Sequence, residues 1–248
     1  MSNETFAQRA RAGERLTGGL LRMPAETLVE VAGVAGFDFV VIDCEHGPGD
    51  VLPLQQHIAA AEARGLGVLV RVGEGESTLV QRALDSGADG VVVPHVDDAA
   101  AAAAVVSAAC YPPVGNRGFA TYSRAGGYGS RSIPEHLEAS ARTTLVVPMV
   151  ETPQACAAAA EIFAVPGVDS VLAGPADLSV AMGLTGGGAE PAVRELLAGV
   201  VAAAEAAGKP MTTIVPDREQ AEAAPRGLIV YNLAHVLLHA LRGLVFRD

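Results

Sequence analysis

Eight short runs of Val, Ile and Leu, each closed by a polar residue or a Gly/Pro turn and each trailed by an Ala-rich stretch of helical length, constrain this chain more than any other feature. The runs occupy residues 18–21, 37–43, 67–72, 90–94, 144–151, 170–174, 211–215 and 227–230. The spacing predicts helices near 25–35, 50–64, 77–86, 97–109, 152–163, 176–182 continued by 190–207, 217–224 and 232–243. A run such as Phe37-Asp38-Phe39-Val40-Val41-Ile42 is apolar at nearly every position, as expected of a strand covered on both faces in a parallel sheet. Gly33 and Gly36, Gly65, Gly87 and Gly208 stand just before strands, where left-handed helix caps are expected. Eight βα units in 248 residues fit one α/β domain over residues 1–248, a (β/α)8 TIM barrel, better than a doubly wound sheet. One long irregular segment, residues 111–132, is rich in Gly and Pro and is expected to be functional.

Composition removes several function classes. Half the residues are hydrophobic, enough for a large core, so the chain is not disordered. No apolar run reaches the ~18 residues of a membrane span. Met1-Ser2-Asn3-Glu4 lacks the basic-then-apolar order of a secretion signal, which points to a cytoplasmic enzyme with no membrane partner. A net charge of −11 and a single lysine, Lys209, argue against nucleic acid, whose phosphates are met by clustered Lys and Arg. Cys44, Cys110 and Cys156 are far apart without CxxC spacing, and read as free thiols in a reducing compartment.

A barrel builds its active site at the C-terminal ends of its strands, so the polar residues that stop each run are the ones to inspect. Asp43, Cys44, Glu45 and His46 follow the second run, Arg71 ends the third, and His95 follows the fourth. Glu151 ends the fifth, Gly174-Pro175-Ala176-Asp177 the sixth, Thr212 and Thr213 lie on the seventh, and Tyr231-Asn232 follow the eighth. Glu151 and Asp177 leave adjacent strands and can share a divalent cation; hard oxygen ligands favour Mg²⁺ or Mn²⁺. Each acid alone would serve equally as a helix N-cap. His46, three residues after Asp43, suits a general base oriented by a carboxylate, and Arg71 suits an anionic substrate or, failing that, an ion pair with Glu45 or Glu74. Free N–H groups after Gly174 suit a carboxylate or phosphate. His57, inside a helix, and His95 are read as structural, Cys44 lacks an adjacent base, and His235 and His239 are read as surface or interface positions beside the apolar Leu237, Leu238 and Leu241.

At these residues the chain resembles the HpcH/HpaI family of class II, metal-dependent 2-oxo acid aldolases. The matching segments include Asp43-Cys44-Glu45-His46-Gly47-Pro48, Val70-Arg71, Leu84-Asp85-Ser86-Gly87-Ala88, Tyr111-Pro112-Pro113, Asn116-Arg117-Gly118, Val150-Glu151-Thr152 and Gly174-Pro175-Ala176-Asp177-Leu178-Ser179, in order across residues 18–243. The resemblance implies a barrel assembled as a trimer of dimers, with the last helix exchanged between subunits. It implies a divalent ion (Mg²⁺, Mn²⁺ or Co²⁺) held by Glu151 and Asp177, and a substrate carboxylate on the amides of Ala176 and Asp177. Arg71 would hold the keto oxygen, and His46, polarised by Asp43 and Asp85, would act as base through a water. The substrate-binding set this implies is Arg71, Gly174, Pro175, Ala176, Asp177 and Ile214. Where many members have Gln, this chain has Met149.

Breaking a carbon–carbon bond beside a hydroxyl leaves a carbanion, which a dication and a guanidinium stabilise on the enolate oxygen. Lys209 precedes the seventh strand, away from the mouth, so Schiff-base chemistry is not expected. The expected reaction is reversible cleavage of a 4-hydroxy-2-oxo acid to pyruvate, or a related 2-oxo acid, and an aldehyde whose side the 111–132 loop shapes. Oxaloacetate decarboxylation or a citrate-forming condensation would use the same site. A CoA-ester lyase lacks an obvious segment for the nucleotide, and a catalytically silent barrel that only binds is the reading from another class.

Overall fold

The computed structural model describes residues 4–47 and 51–245. Its strands are β1 (Leu16–Leu21), β2 (Phe39–Asp43), β3 (Gly67–Arg71), β4 (Gly90–Val93), β5 (Leu145–Val150), β6 (Val171–Ala173), β7 (Met211–Val215) and β8 (Gly227–Asn232). They close in sequence order into a parallel barrel, β8 pairing back onto β1 from Leu16↔Leu228 to Leu20↔Asn232. The helices are α1 (Phe6–Arg11), α2 (Glu26–Val34), α3 (Val51–Ala63), α4 (Ser77–Asp85), α5 (Ala99–Ala109), α6 (Ile133–Thr143), α7 (Pro153–Ala157), α8 (Ala159–Ala164), α9 (Pro175–Ala181), α10 (Pro191–Ala207), α11 (Arg218–Ala223) and α12 (Leu233–Arg242). None of the described helices is long and apolar enough to cross a membrane.

Strand parity sorts the side chains. Phe39, Val41, Leu69, Val92, Leu145, Val147 and Met149 point to the barrel axis, while Val40, Ile42, Val68, Val70, Val146 and Val150 face the helices, as the period of two along a strand demands. The axis is plugged at its N-terminal end by α1, whose Phe6 ring stacks on Phe39 at 5.0 Å between centroids. Glycine makes that plug possible: a Cβ on Gly67 would sit 2.3 Å from the Phe6 ring, and one on Gly18 2.3 Å from Phe39.

A repeated Gly-x-Asp ties alternate strands at the same end. Gly36, Gly87 and Gly167 adopt positive φ after their helices. Two residues later Asp38, Asp89 and Asp169 each accept the backbone N–H of the preceding strand, from Thr17, Val68 and Val146, at 2.8–2.9 Å. Gly65 and Gly208 are also left-handed caps, but Gly33 lies inside α2, where it lets the Arg64 stem approach; its Cβ would stand 2.7 Å from that of Arg64.

Two helices, α1 and α6, were not expected from periodicity, and the predicted helix at 152–163 is two, broken at Ala158. The 111–132 segment also departs from expectation. It joins the end of α5 to α6, and α5, which follows β4, runs back from the mouth, so the segment lies on the N-terminal face: Ala125 N–H donates to the carbonyl of Asp85 and Arg124 pairs with Glu62, at the ends of α4 and α3. Within one chain it cannot shape the aldehyde side of the mouth.

Candidate active site

Register places the first pair. Asp43 and Arg71 are Cα partners at the C-terminal ends of β2 and β3, so both inward side chains meet above the apolar layers. Arg71 donates from Nε to Asp43 Oδ1 at 2.9 Å and from Nη2 to Oδ2 at 2.6 Å, the bidentate fork that suits a carboxylate. Arg22, just past β1, adds Nε to Oδ2 at 2.6 Å. The backbone N–H groups of Glu45 and His46 both donate to Oδ1 at 3.2 Å. Burial would raise the Asp43 pKa, but the guanidinium of Arg71 outweighs it, and the carboxyl is held below the usual range. Arg71 has its own burial cost offset by Asp43, Glu45 and Glu151, and stays charged.

The second pair sits across the rim. Glu151 follows β5 and Gly174 follows β6; a Cβ on Gly174 would stand 3.1 Å from Glu151 Oε2 and 3.5 Å from Asp177 Oδ2, so both carboxylates converge on the space that this glycine leaves open. Neither acid is spent on capping: Thr152 Oγ1 accepts from Ala155 N–H to cap α7, and α9 begins at Gly174 without a side-chain cap. Burial pushes the Glu151 carboxyl up, with Asp177 and Glu45 adding repulsion and the His95 N–H opposing. Oε2 of Glu45, 3.2 Å from Arg71 Nε, is buried without a hydrogen-bond partner among the described residues. A site with two converging carboxylates, a third holding an orphaned oxygen and no Cys or His donor set is chemically suited to a hard divalent cation, which uses one or two protein carboxylates and completes its shell with water and substrate oxygens. No group of three or more His, Cys, Asp and Glu able to hold a metal by themselves occurs among the described residues.

His95 enters this site against expectation. Its backbone N–H donates to Glu151 Oε1 at 2.8 Å and its ring Nδ1 lies 3.3 Å from the same oxygen, an arrangement that a left-handed backbone at φ 54° produces. Arg22 is another member that strand-end reading passed over, while Glu45 stands where an ion pair with Arg71 was expected, 3.2 Å from its Nε. His57 matches its structural reading, accepting from Ala25 N–H and bonding the Pro53 carbonyl. Lys209 donates to the carbonyls of Phe163 and Val168 on the opposite face.

His46 is at the mouth, its side chain 56% exposed, but Asp43 meets its backbone N–H and not its ring; Glu45 is the acid beside the ring, at 3.9 Å. Asp85 does not reach it: it ends α4 on the N-terminal face and accepts from Arg117 Nη2 at 2.6 Å. Within one chain neither Asp43 nor Asp85 meets the His46 ring. Pro48 lies outside the described residues. Ala176 and Asp177 occupy the first turn of α9 behind Pro175, where N–H groups have no intrahelical acceptor. Ile214 packs on the axial core from β7, and Met149, two residues before Glu151 on the same face, is buried in that core beneath the site.

The family model for HpcH/HpaI aldolase/citrate lyase matches residues 21–227. A 2-dehydro-3,6-dideoxy-6-sulfogluconate aldolase of Pseudomonas putida is 37% identical, over 78% of this chain and 75% of its own. A hydroxypyruvate/pyruvate aldolase of Agrobacterium fabrum is 37% identical over 82% and 76%. The solved structure of an HpcH/HpaI aldolase/citrate lyase family protein from Burkholderia cenocepacia superposes with a TM-score of 0.89 at 32% identity, covering 96% of each chain.

Proposed function

The chain belongs to the HpcH/HpaI aldolase/citrate lyase family, and from that premise we propose that it is a divalent-metal-dependent aldolase that reversibly cleaves a 4-hydroxy-2-oxo acid into pyruvate, or a related 2-oxo acid, and an aldehyde. The observation that carries this reading is the convergence of Glu151 and Asp177 over Gly174, across the rim from an Arg71 already fixed by Asp43. Glu151 and Asp177 would hold the cation, Mg²⁺, Mn²⁺ or Co²⁺, whose contribution when bound is Lewis-acid stabilisation of negative charge on the keto oxygen.

The remaining work falls to the chain itself. The first-turn amides of Ala176 and Asp177 bind the substrate carboxylate, with Gly174, Pro175 and Ile214 shaping its floor. Arg71 uses N–H groups not spent on Asp43 to hold the keto oxygen, where charge grows as the carbon–carbon bond breaks. His46 takes the proton of the 4-hydroxyl through a water and returns one to the enolate carbon in the next stage. Asp43 serves as the anchor of Arg71 and of the His46 backbone. Since Asp85 is on the far face of its own barrel, any action on His46 comes from a second copy. An oligomer agrees with the last helix, whose Leu237, Leu238 and Leu241 are exposed in the single chain.

The test is aldol cleavage followed by pyruvate release, with and without chelator, together with Mn²⁺ binding by electron paramagnetic resonance. Chelation should abolish turnover, a divalent ion should restore it, and Glu151→Gln and Asp177→Asn should each lose bound Mn²⁺ and turnover together. Full turnover in chelator, or oxaloacetate decarboxylated far faster than any aldol is cleaved, would overturn the proposal.

A further inference from the structure

The loop that leaves β4 is bound to the exit of β5 at three successive residues. His95 N–H donates to Glu151 Oε1 at 2.8 Å, Val96 N–H donates to the Met149 carbonyl at 3.2 Å, and Asp97 Oδ1 accepts from Thr152 Oγ1 at 2.5 Å. The Val96 side chain is buried, and Asp98 then caps α5 by accepting from Ala101 N–H at 2.7 Å. With residues 96–98 fixed on one side and β4 on the other, His95 is left to make the turn, and it does so in the left-handed region at φ 54°. A side chain in that region crowds the backbone, so for the turn alone glycine would be the easier residue.

The left-handed backbone brings the N–H and the imidazole of His95 to one carboxylate oxygen, Glu151 Oε1, which the ring Nδ1 approaches to 3.3 Å. Oε1 is therefore engaged twice by the protein. Oε2 is the oxygen that borders the space over Gly174, where a Cβ would stand 3.1 Å from it and 3.5 Å from Asp177 Oδ2. A glutamate side chain can rotate and exchange its two oxygens, and two contacts on one of them decide which faces the open space. Partners of this kind orient a metal ligand, and losing one typically lowers metal affinity by about 10–100-fold.

We propose that His95 is a positioning residue of the cation site: it holds Glu151 by Oε1 so that Oε2, together with Asp177, is presented to a divalent cation. The role rests on Glu151 and Asp177 being the cation ligands proposed for this mouth, and it makes the loop after β4 a determinant of how tightly they bind.

The test is Mn²⁺ titration of the full chain followed by electron paramagnetic resonance, with urea unfolding of each variant alongside. His95→Gly keeps the left-handed turn and its N–H but removes the ring. His95→Val carries a β-branched side chain that resists positive φ, so it displaces the N–H as well. His95→Asn accepts the turn and carries an amide nitrogen on Cγ, where the imidazole has Nδ1. The Mn²⁺ dissociation constant should rise about tenfold in His95→Gly and about a hundredfold in His95→Val, while His95→Asn should recover most of the affinity lost in His95→Gly. Glycine relieves the strained turn, so His95→Gly should unfold at no less urea than wild type even as it binds Mn²⁺ more weakly; a residue serving only the fold would leave that affinity unmoved. Should His95→Val fail to fold, the glycine and asparagine variants decide. Equal Mn²⁺ affinity in wild type and His95→Gly would overturn the role of the ring and, with His95→Val equal too, the whole proposal, leaving the cation site itself standing. Absence of Mn²⁺ binding by wild type would overturn both together.

Discussion

Replacing Asp43 by Asn removes one charge and almost no volume, and the loss can be worked out contact by contact. The native carboxylate accepts from Arg71 Nε, Glu45 N–H and His46 N–H on Oδ1 and from Arg71 Nη2 and Arg22 Nε on Oδ2, with its side chain fully buried. An amide has one acceptor oxygen, so either both donors to Oδ2 or all three donors to Oδ1 must face an NH₂ group. The milder choice forfeits two charge-assisted bonds at about 1.5–3 kcal/mol each, for a total of about 3–6 kcal/mol, and leaves buried guanidinium charge less well compensated. Urea unfolding should report that loss, and kcat/KM should fall with it because Arg71 is no longer aimed. The pH dependence should change too. The Asp43 pKa is depressed in the folded state, so its contribution is present above the unfolded carboxylate pKa and lost as pH falls through the folded one; Asp43→Asn should lack that acid-side loss. Asp43→Leu/Arg71→Met removes both charges together and should regain much of the stability without the turnover. A single variant destabilised by less than about 1 kcal/mol would refute the claim that Asp43 anchors the site.

Three further outcomes follow from the geometry. Burial beside Glu62 raises the Asp89 pKa to about 6, so the folded protein holds a proton there that the unfolded chain has released; stability should decline as pH rises from about 4 to about 6, and urea titrations of Asp89→Asn should lack this component. Cys44, whose thiol is pushed up to about 11 by burial and by Asp43 and Glu76, should react with iodoacetamide at pH 8 far more slowly than a free cysteine, by mass spectrometry. Met149→Gln puts an amide under the rim in a buried position; Mn²⁺ affinity and the ratio of rates with pyruvate and hydroxypyruvate should shift, at a stability cost of about 1–3 kcal/mol, whereas unchanged donor preference would deny Met149 any part in it.

Much of this architecture was legible because strand parity is a local property. Once a run such as Phe39–Asp43 is known to be buried on both faces, its last inward residue must stand at the mouth, and that reasoning alone finds Asp43, Arg71 and Glu151. His95 escaped it because its contact depends on a left-handed backbone at a non-glycine residue, which only the surrounding structure can impose. Asp85 was drawn into the site by likeness of motif, although a residue ending a helix must lie on the face opposite the mouth. Of the two missed helices, α1 is only six residues long and α6 is polar overall, so neither stands out as an apolar run. Both open with a capping box, Thr5 with Gln8 and Ser132 with Glu135, so their starts were readable even where their bodies were not.

The Gly-x-Asp clamps carry a kinetic meaning. Each joins β1 to β2, β3 to β4 or β5 to β6 across a separation of 21, 21 and 23 residues, so each two-strand unit can tie its own N-terminal edge by closing a short loop. The closure of β8 onto β1, between opposite ends of the chain, has no such local tether. The barrel is thus wired as three self-registering pairs followed by β7, β8 and a seam, and the seam is the contact of greatest sequence separation.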